Sequence, residues 1–388
     1  MKKILSLTLA LIMVFALCSV GTAYADNPVV KIGVFEPQSG DNGAGGKQEV
    51  LGMQYANVLT PTVEIDGVEY DVELVYADNA SSNDKAPTAA QTLISSGVSL
   101  VLGSYGSGVS IAASDTFDAA GVPAIGVTCT NPQVTAGCDV YFRICFLDPF
   151  QGTVLANFAH DTLNAKTAYC LGQLGNDYDQ GLINYFKQAA EGLGMKVVTA
   201  EFPENNSDFT SYLTSAKNEG ADVIFAPCSI SYAQLIVEQA DAQGIEMPLL
   251  AGDTWDSNAI LAAAEGKNVQ IYVSTFYAEG GDAAFEKGIK EWLNSNSEAM
   301  TNNGGNDMIA AVSVMGYDAY YTALEAIKKA GSADKADILA VLPSVTLTGV
   351  SGAIAFDSVG DAIRDSAYIK QANTANVAWD FVTVAKVG

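Results

Sequence analysis

The chain is short of histidine and of positive charge. His160 is its only histidine, and 19 lysines and arginines stand against 44 aspartates and glutamates in 388 residues, a net charge of −25. One histidine excludes metal centres built from several and leaves any histidine-dependent nucleophile to that single residue. His160 lies in Gln151–Leu163, which reads as a helix, so a surface or packing role is expected of it. The excess of acid excludes polyanionic partners, nucleic acid and anionic membrane surfaces alike. Long apolar runs are scarce as well. One stands out, Ile4 to Val20, behind Lys2 and Lys3 and ahead of Ala23-Tyr24-Ala25. Its length and flanks read as a secretory signal peptide over residues 1–25, cleaved after Ala25. A membrane anchor is the rival reading, and a lipoprotein signal modified at Cys18 is another, although Leu17 is larger than the small residue such signals carry. No later run is apolar enough to span a bilayer. Loss of the two leader lysines leaves 17 basic residues against 44 acidic ones, a charge of −27.

Cysteine is sparse and odd in number once the leader is set aside: Cys129, Cys138, Cys145, Cys170 and Cys228. At least one is therefore unpaired or pairs between chains. Cys129 and Cys138 flank a turn-rich segment and suit a disulfide in an oxidising compartment. Equally, all five suit small buried hydrophobes. Nucleotide signatures are missing too. Gly103-Ser104-Tyr105-Gly106-Ser107-Gly108 lacks the dinucleotide spacing, and no lysine follows as in a phosphate-binding loop.

What the chain has in quantity is strand–helix alternation, and 49% hydrophobic residues to build a core. Val29–Phe35, Val72–Ala77, Leu100–Gly103 and Pro123–Val127 read as buried strands, separated by helical patterns at Lys47–Leu59, Ala86–Ser95 and Val109–Ala119. Such order predicts a parallel sheet with right-handed crossovers. Asp66-Gly67 predicts a hairpin between Val63–Ile65 and Val68–Tyr76. The alternation restarts with strands at Thr167–Gly172, Lys196–Glu201, Val223–Pro227 and Leu249–Gly252. Their helices are Tyr178–Leu193, Phe209–Asn218, Tyr232–Gln243 and Asn258–Ala264. Two such units predict two lobes. Further on come a strand at Gln270–Phe276, helices at Ala283–Asn294, Ile309–Ala330 and Lys335–Leu342, and antiparallel strands at Gly352–Phe356, Tyr368–Gln371 and Ala378–Val384.

Ser99 to Pro132 carries the chemistry. Its strand–turn–helix–strand order sets two clusters of small polar residues, one around Ser107 and one at Thr128–Asn131, at the carboxyl ends of adjacent parallel strands. Ligands of open α/β sheets bind at that edge, and helix-start N–H groups suit a carboxylate. A small anion or zwitterion is the expected guest.

The motifs Ile32-Gly33-Val34 with the loop to Gln48, Val101–Ser107, Ala124–Pro132 with Phe142-Arg143, and Asp148–Gly152 follow one another in a known order. Tyr178–Gly181, Asp208-Phe209 and Gly316–Ala319 continue it. Together they resemble the branched-chain amino-acid binding proteins of transport systems, over nearly the whole mature chain. The resemblance implies an α/β fold of two doubly wound parallel-sheet lobes joined by a three-crossing hinge, the type I periplasmic binding protein. It implies one lobe from residues 26–143 plus 277–347, another from 148–272 plus 353–388, and a hinge near 144–147, 273–276 and 348–352. It further implies a non-enzymatic, monomeric, exported receptor in the periplasm or at the outer face of the cytoplasmic membrane. Such a receptor takes a small-molecule ligand, an amino acid, to the membrane subunits of an ABC importer, with no cofactor and no metal.

By the same resemblance Ser107 binds the ligand carboxylate, though it could equally cap a helix starting near Val109. Thr130 meets both carboxylate and ammonium, and Thr128 offers backbone groups. Asp253 is the ammonium-binding acid, one methylene shorter than the family's glutamate; an exposed loop acid is the alternative. Tyr178 closes over the ligand, Tyr105 packs near its side chain, and Trp255 walls the pocket or anchors its loop. Gly45 and Ser229 stand where the family carries aromatic rings, which implies a roomier or more polar side-chain pocket unless Tyr105, Phe150 or Trp255 fills it. Polar, aromatic and larger amino acids thus remain open. Amides, urea or aromatic carboxylates in the same fold, or a sensor role, are the other readings.

Overall fold

The computed structural model describes residues 27–387. The expected leader and Cys18 lie outside them. Two sheets organise the chain. The first contains β1 (Val29–Glu36), β2 (Thr62–Ile65), β3 (Val68–Asp78), β4 (Leu100–Leu102), β5 (Ala124–Gly126) and β6 (Tyr141–Arg143), in spatial order β2-β3-β1-β4-β5-β6. All neighbours run parallel except β2 and β3, which pair antiparallel across Asp66-Gly67 with Ile65 opposite Val68. The hairpin read from that dipeptide is therefore present.

The second sheet contains β7 (Thr167–Gln173), β8 (Lys196–Phe202), β9 (Val223–Phe225), β10 (Leu249–Ala251) and β11 (Ile271–Thr275). A ribbon, β12 (Thr346–Gly349) with β13 (Gly352–Ala355), stands apart. The last strands, β14 (Ser366–Asn373) and β15 (Ala378–Lys386), return to the second sheet in the order β15-β14-β11-β10-β9-β7-β8. β14 and β15 are its antiparallel edge, and the rest is parallel.

Each sheet is sandwiched by helices, as its continuous apolar strands require. Helix Ala311–Ala330 lies along helix Gly43–Leu59 so closely that a Cβ on Gly52 would stand 1.8 Å from the Ser313 carbonyl oxygen. Beside that contact Tyr55 stacks on Tyr317 and Phe285 meets both edge-on, with ring centroids 4.9–6.1 Å apart. In the second unit Phe186 stacks on Phe225 at 4.2 Å, pinning helix Asp177–Gly192 to β9. The helix read at Gln151–Leu163 starts earlier, at Asp148, and ends in a wider π turn over Phe158–Thr162. His160 sits half-buried in that turn, its Nδ1 2.6 Å from Asp161 Oδ1. The five cysteines among the described residues are all free thiols, Cys129 buried and Cys138 half-buried, so the expected pairing of these two is absent. No helix among the described residues is long and apolar enough to cross a membrane.

A buried ion pair braces the loop that carries Thr130. Arg143, at the end of β6, is fully buried and donates from Nε to Asp361 Oδ1 at 2.6 Å. Its other nitrogens reach the carbonyl oxygens of Cys129 and Asn131 and the Thr135 hydroxyl. The guanidinium thus fixes the backbone on both sides of Thr130. Removing one partner of a buried pair strands the other charge. Arg143→Met is expected to cost about 3–5 kcal/mol in urea unfolding, and Arg143→Met with Asp361→Asn to cost less than Arg143→Met alone. Equal losses in the two variants would show that the pair is not what holds this segment.

Candidate functional site

Two loops leave the first sheet side by side, because β4 and β5 are parallel neighbours with Val101 opposite Ala124. The first, Gly103–Gly106, leads into helix Ser107–Ala120. That helix begins two residues before the expected start, so Ser107 is its first residue and Gly106 its cap. Ser107 makes no capping bond, and its buried Oγ accepts from the Asn131 N–H at 3.2 Å. The second loop carries Thr128 and Thr130, both buried. The Thr130 hydroxyl has no hydrogen-bond partner. The Thr128 hydroxyl donates to Glu49 Oε2 at 2.5 Å.

The second sheet answers from its own carboxyl edge. β10 ends at Ala251 and leads into Gly252-Asp253, and Asp253 is only 2% exposed. Its Oδ1 accepts from Gln151 Nε2 at 2.8 Å and from the Tyr178 hydroxyl at 3.0 Å, leaving Oδ2 without a protein partner. Gly252 permits this: a Cβ there would lie 2.3 Å from the Tyr178 oxygen. Tyr178 is positioned by Asn176, whose side chain caps helix Asp177–Gly192 by accepting from the Tyr178 and Asp179 N–H groups. Gln151 Nε2 also donates to Ser274, while its Oε1 is unpartnered. Asp148, one helical turn away, is fully buried with both carboxyl oxygens unpartnered.

Beside these groups lies a cavity of about 480 Å³, bordered among others by Tyr105, Ser107, Tyr178, Ser229 and Thr254. The lobes touch around it. Tyr105 donates its hydroxyl to the Thr254 carbonyl at 2.9 Å, and Asn42 Nδ2 donates to Ser229 Oγ at 3.1 Å. Asn131 Nδ2 donates to the Asp177 carbonyl at 2.8 Å. Gly45 faces the Tyr105 ring, whose Cζ would stand 2.4 Å from a Cβ there. Tyr105 therefore occupies the volume that an aromatic at position 45 would take. Trp255 is fully buried behind the site and donates its indole N–H to the Cys228 carbonyl at 2.9 Å, the posture of a loop anchor.

The structure thus sets Tyr105, Ser107, Tyr178 and Ser229 on the cavity wall, whereas Thr128, Thr130, Asp253 and Trp255 are buried and do not border that cavity. Sequence reasoning passed over Glu36, Glu49 and Gln151 and gave Asp148 no role. Glu49 follows Lys47-Gln48 with no local signal in the sequence, and only the fold shows it to be 0% exposed. Burial governs the electrostatics. It pushes Asp253 up to about 6, against the hydrogen bonds from Gln151 and Tyr178. Burial and then the Asp253 charge raise Asp148 to about 8, although the nearby Thr130 hydroxyl works the other way. Glu49 rises to about 7 by burial. Glu36, buried at the end of β1, is held well above the usual carboxylate range by burial and then by the Glu49 charge.

A sequence profile described as periplasmic binding protein matches residues 29–376. The Leu/Ile/Val-binding protein homolog 1 of Brucella abortus is 28% identical over 366 residues, 93% of this chain and 94% of that one. The leucine-binding protein LivK of Thermotoga maritima superposes with a TM-score of 0.81 at 31% identity, over 92% of this chain and 99% of its own. LivJ of Streptococcus pneumoniae, in complex with isoleucine, gives 0.80 at 26% identity over 92% and 99%.

Four buried carboxyls with raised values make a pH prediction. From about pH 4, where free carboxyls ionise, to about pH 8 the unfolded chain has lost protons that the fold retains. Stability then falls as pH rises, being fullest below the unfolded values. The melting temperature of the ligand-free protein is expected to drop from pH 5 to pH 8, and less steeply in Asp253→Asn. A flat or rising profile would contradict the raised values.

Proposed function

Because this chain belongs to the periplasmic binding protein family, we propose that it captures a free amino acid between its two lobes and delivers it to an ABC importer. It is an extracytoplasmic solute-binding protein of the ABC-transporter type, and not an enzyme. The amino-acid reading rests above all on Asp253, a buried carboxylate with one oxygen free at the carboxyl edge of the second sheet. A zwitterion needs an acid for its ammonium and neutral donors for its carboxylate. Asp253 and Thr130 serve the first, and the Ser107 turn with its helix-start N–H groups serves the second. Two of the similar proteins are a leucine-binding protein and a protein bound to isoleucine, which supports the same class of guest.

A simple carboxylate would set its own charge toward Asp253 with nothing to compensate it. The polar contacts come from both sheets, so the closed state gains contacts that the open state lacks, and the ligand shifts the balance by that difference. The passages of chain near 144–147, 273–276 and 348–352 serve as the hinge.

A thermal-shift panel of amino acids, amides and aromatic acids tests this. The binding amino acid at about a hundred times its dissociation constant adds about 2.7 kcal/mol. Asp253→Asn is expected to weaken that amino acid roughly 10- to 100-fold, about 1.5–3 kcal/mol for a charged hydrogen bond, and to leave simple carboxylates no weaker. Equal loss for both ligand types removes Asp253 from the ammonium. Response to aromatic acids alone rejects the reading.

A further inference from the structure

Four buried carboxyl groups gather at the site, offering more acceptor oxygens than one α-ammonium can answer. Asp253 and Asp148 lie on the second-lobe side, and Glu36 and Glu49 on the first, all four buried. Among the described residues Arg143 and Lys370 are the only buried cations, and both are already committed. Arg143 is bound to Asp361, and Lys370 donates to Asp256 Oδ2 at 2.9 Å. Glu49 itself accepts from the Thr128 hydroxyl at Oε2, and its buried Oε1 has no partner.

The unpartnered polar atoms agree. Glu49 Oε1, Gln151 Oε1 and both Asp148 oxygens are buried without partners, and each of these side chains can accept a hydrogen bond. Buried polar atoms are ordinarily satisfied, so unsatisfied ones call for an explanation. A donor-rich guest supplies it.

Glu49 reaches the site loop directly, through the hydrogen bond from Thr128. It lies one helical turn beyond Gly45 on helix Gly43–Leu59, so both share the face that meets the Tyr105 ring. The Tyr105 ring meets that helix at Gly45, and its hydroxyl reaches the carbonyl of Thr254, the residue after Asp253. An aliphatic side chain there would rest against a carboxylate with no counter-ion. A cation would meet a matched partner.

We propose that the ligand is an amino acid whose side chain carries a second cation, an ammonium or guanidinium, received by Glu49 while Asp253 holds the α-ammonium. This rests on the amino-acid reading of the cleft and narrows it to a basic class.

The test is calorimetric titration of the full mature chain with shape-matched pairs: L-ornithine against L-norvaline, L-lysine against L-norleucine, and L-arginine against L-citrulline. In at least one pair the charged member is expected to bind at least tenfold more tightly. Glu49→Gln, with its circular dichroism and melting temperature checked against the parent, should lose that preference while its affinity for the neutral member holds or rises. A neutral member binding as tightly as its charged counterpart in every pair overturns the proposal and leaves the amino-acid receptor standing. A charged preference that survives intact in folded Glu49→Gln overturns the role of Glu49. Failure of every amino acid, charged or neutral, overturns the proposal together with the reading it rests on.

Discussion

A carboxylate kept from water without a protein cation is the constraint on which this molecule's site is built. Asp253 could be relieved cheaply by a nearby lysine, and none is there. It receives two neutral donors on one oxygen, enough to orient the group and too little to neutralise it. Desolvation accordingly dominates its protonation behaviour. A fold that tolerates such a group in its ligand-free form has left a place for charge to arrive from outside.

The scaffold explains why the group can be held so firmly. Parallel strands end on a common edge, and each sheet turns that edge toward the other. The first-lobe wall is stiffened by Arg143, which ties the Cys129–Thr135 backbone to Asp361. The second is stiffened by Gln151, which bridges Asp253 and Ser274, and by the Asn176 cap beneath Tyr178. Closure then relies on modest contacts such as Tyr105 to Thr254 and Asn42 to Ser229. Neutral hydrogen bonds of this kind contribute about 1 kcal/mol each, weak enough to break when the lobes part and numerous enough to align them.

Much of this was legible in the chain. Helices Ala86–Ser95 and Asn258–Ala264 fall where their patterns placed them, and the Asp66-Gly67 turn joins the strands it was read to join. These features depend on local periodicity and turn chemistry, which a sequence carries directly. β6 escaped notice because three residues are too few to show a period, and β12 because its partner is a detached ribbon. Helix Gly43–Leu59 begins four residues before its expected start at Lys47, since its glycines disguise a segment whose packing against Ala311–Ala330 outweighs propensity. The acids were hardest. In a chain with 44 of them, nothing local separates Glu49 or Asp148 from a solvated neighbour. Only the tertiary fold shows which ones water cannot reach.

The central claim is that Asp253 awaits a ligand ammonium from across the cleft. A crystal structure grown in an excess of the bound amino acid tests it most directly. The ammonium nitrogen should lie within hydrogen-bond distance of Asp253 Oδ2 and the Thr130 hydroxyl, with the carboxylate against the turn at Ser107. A ligand seated outside the cleft, or turned so that its carboxylate faces Asp253, would contradict the account.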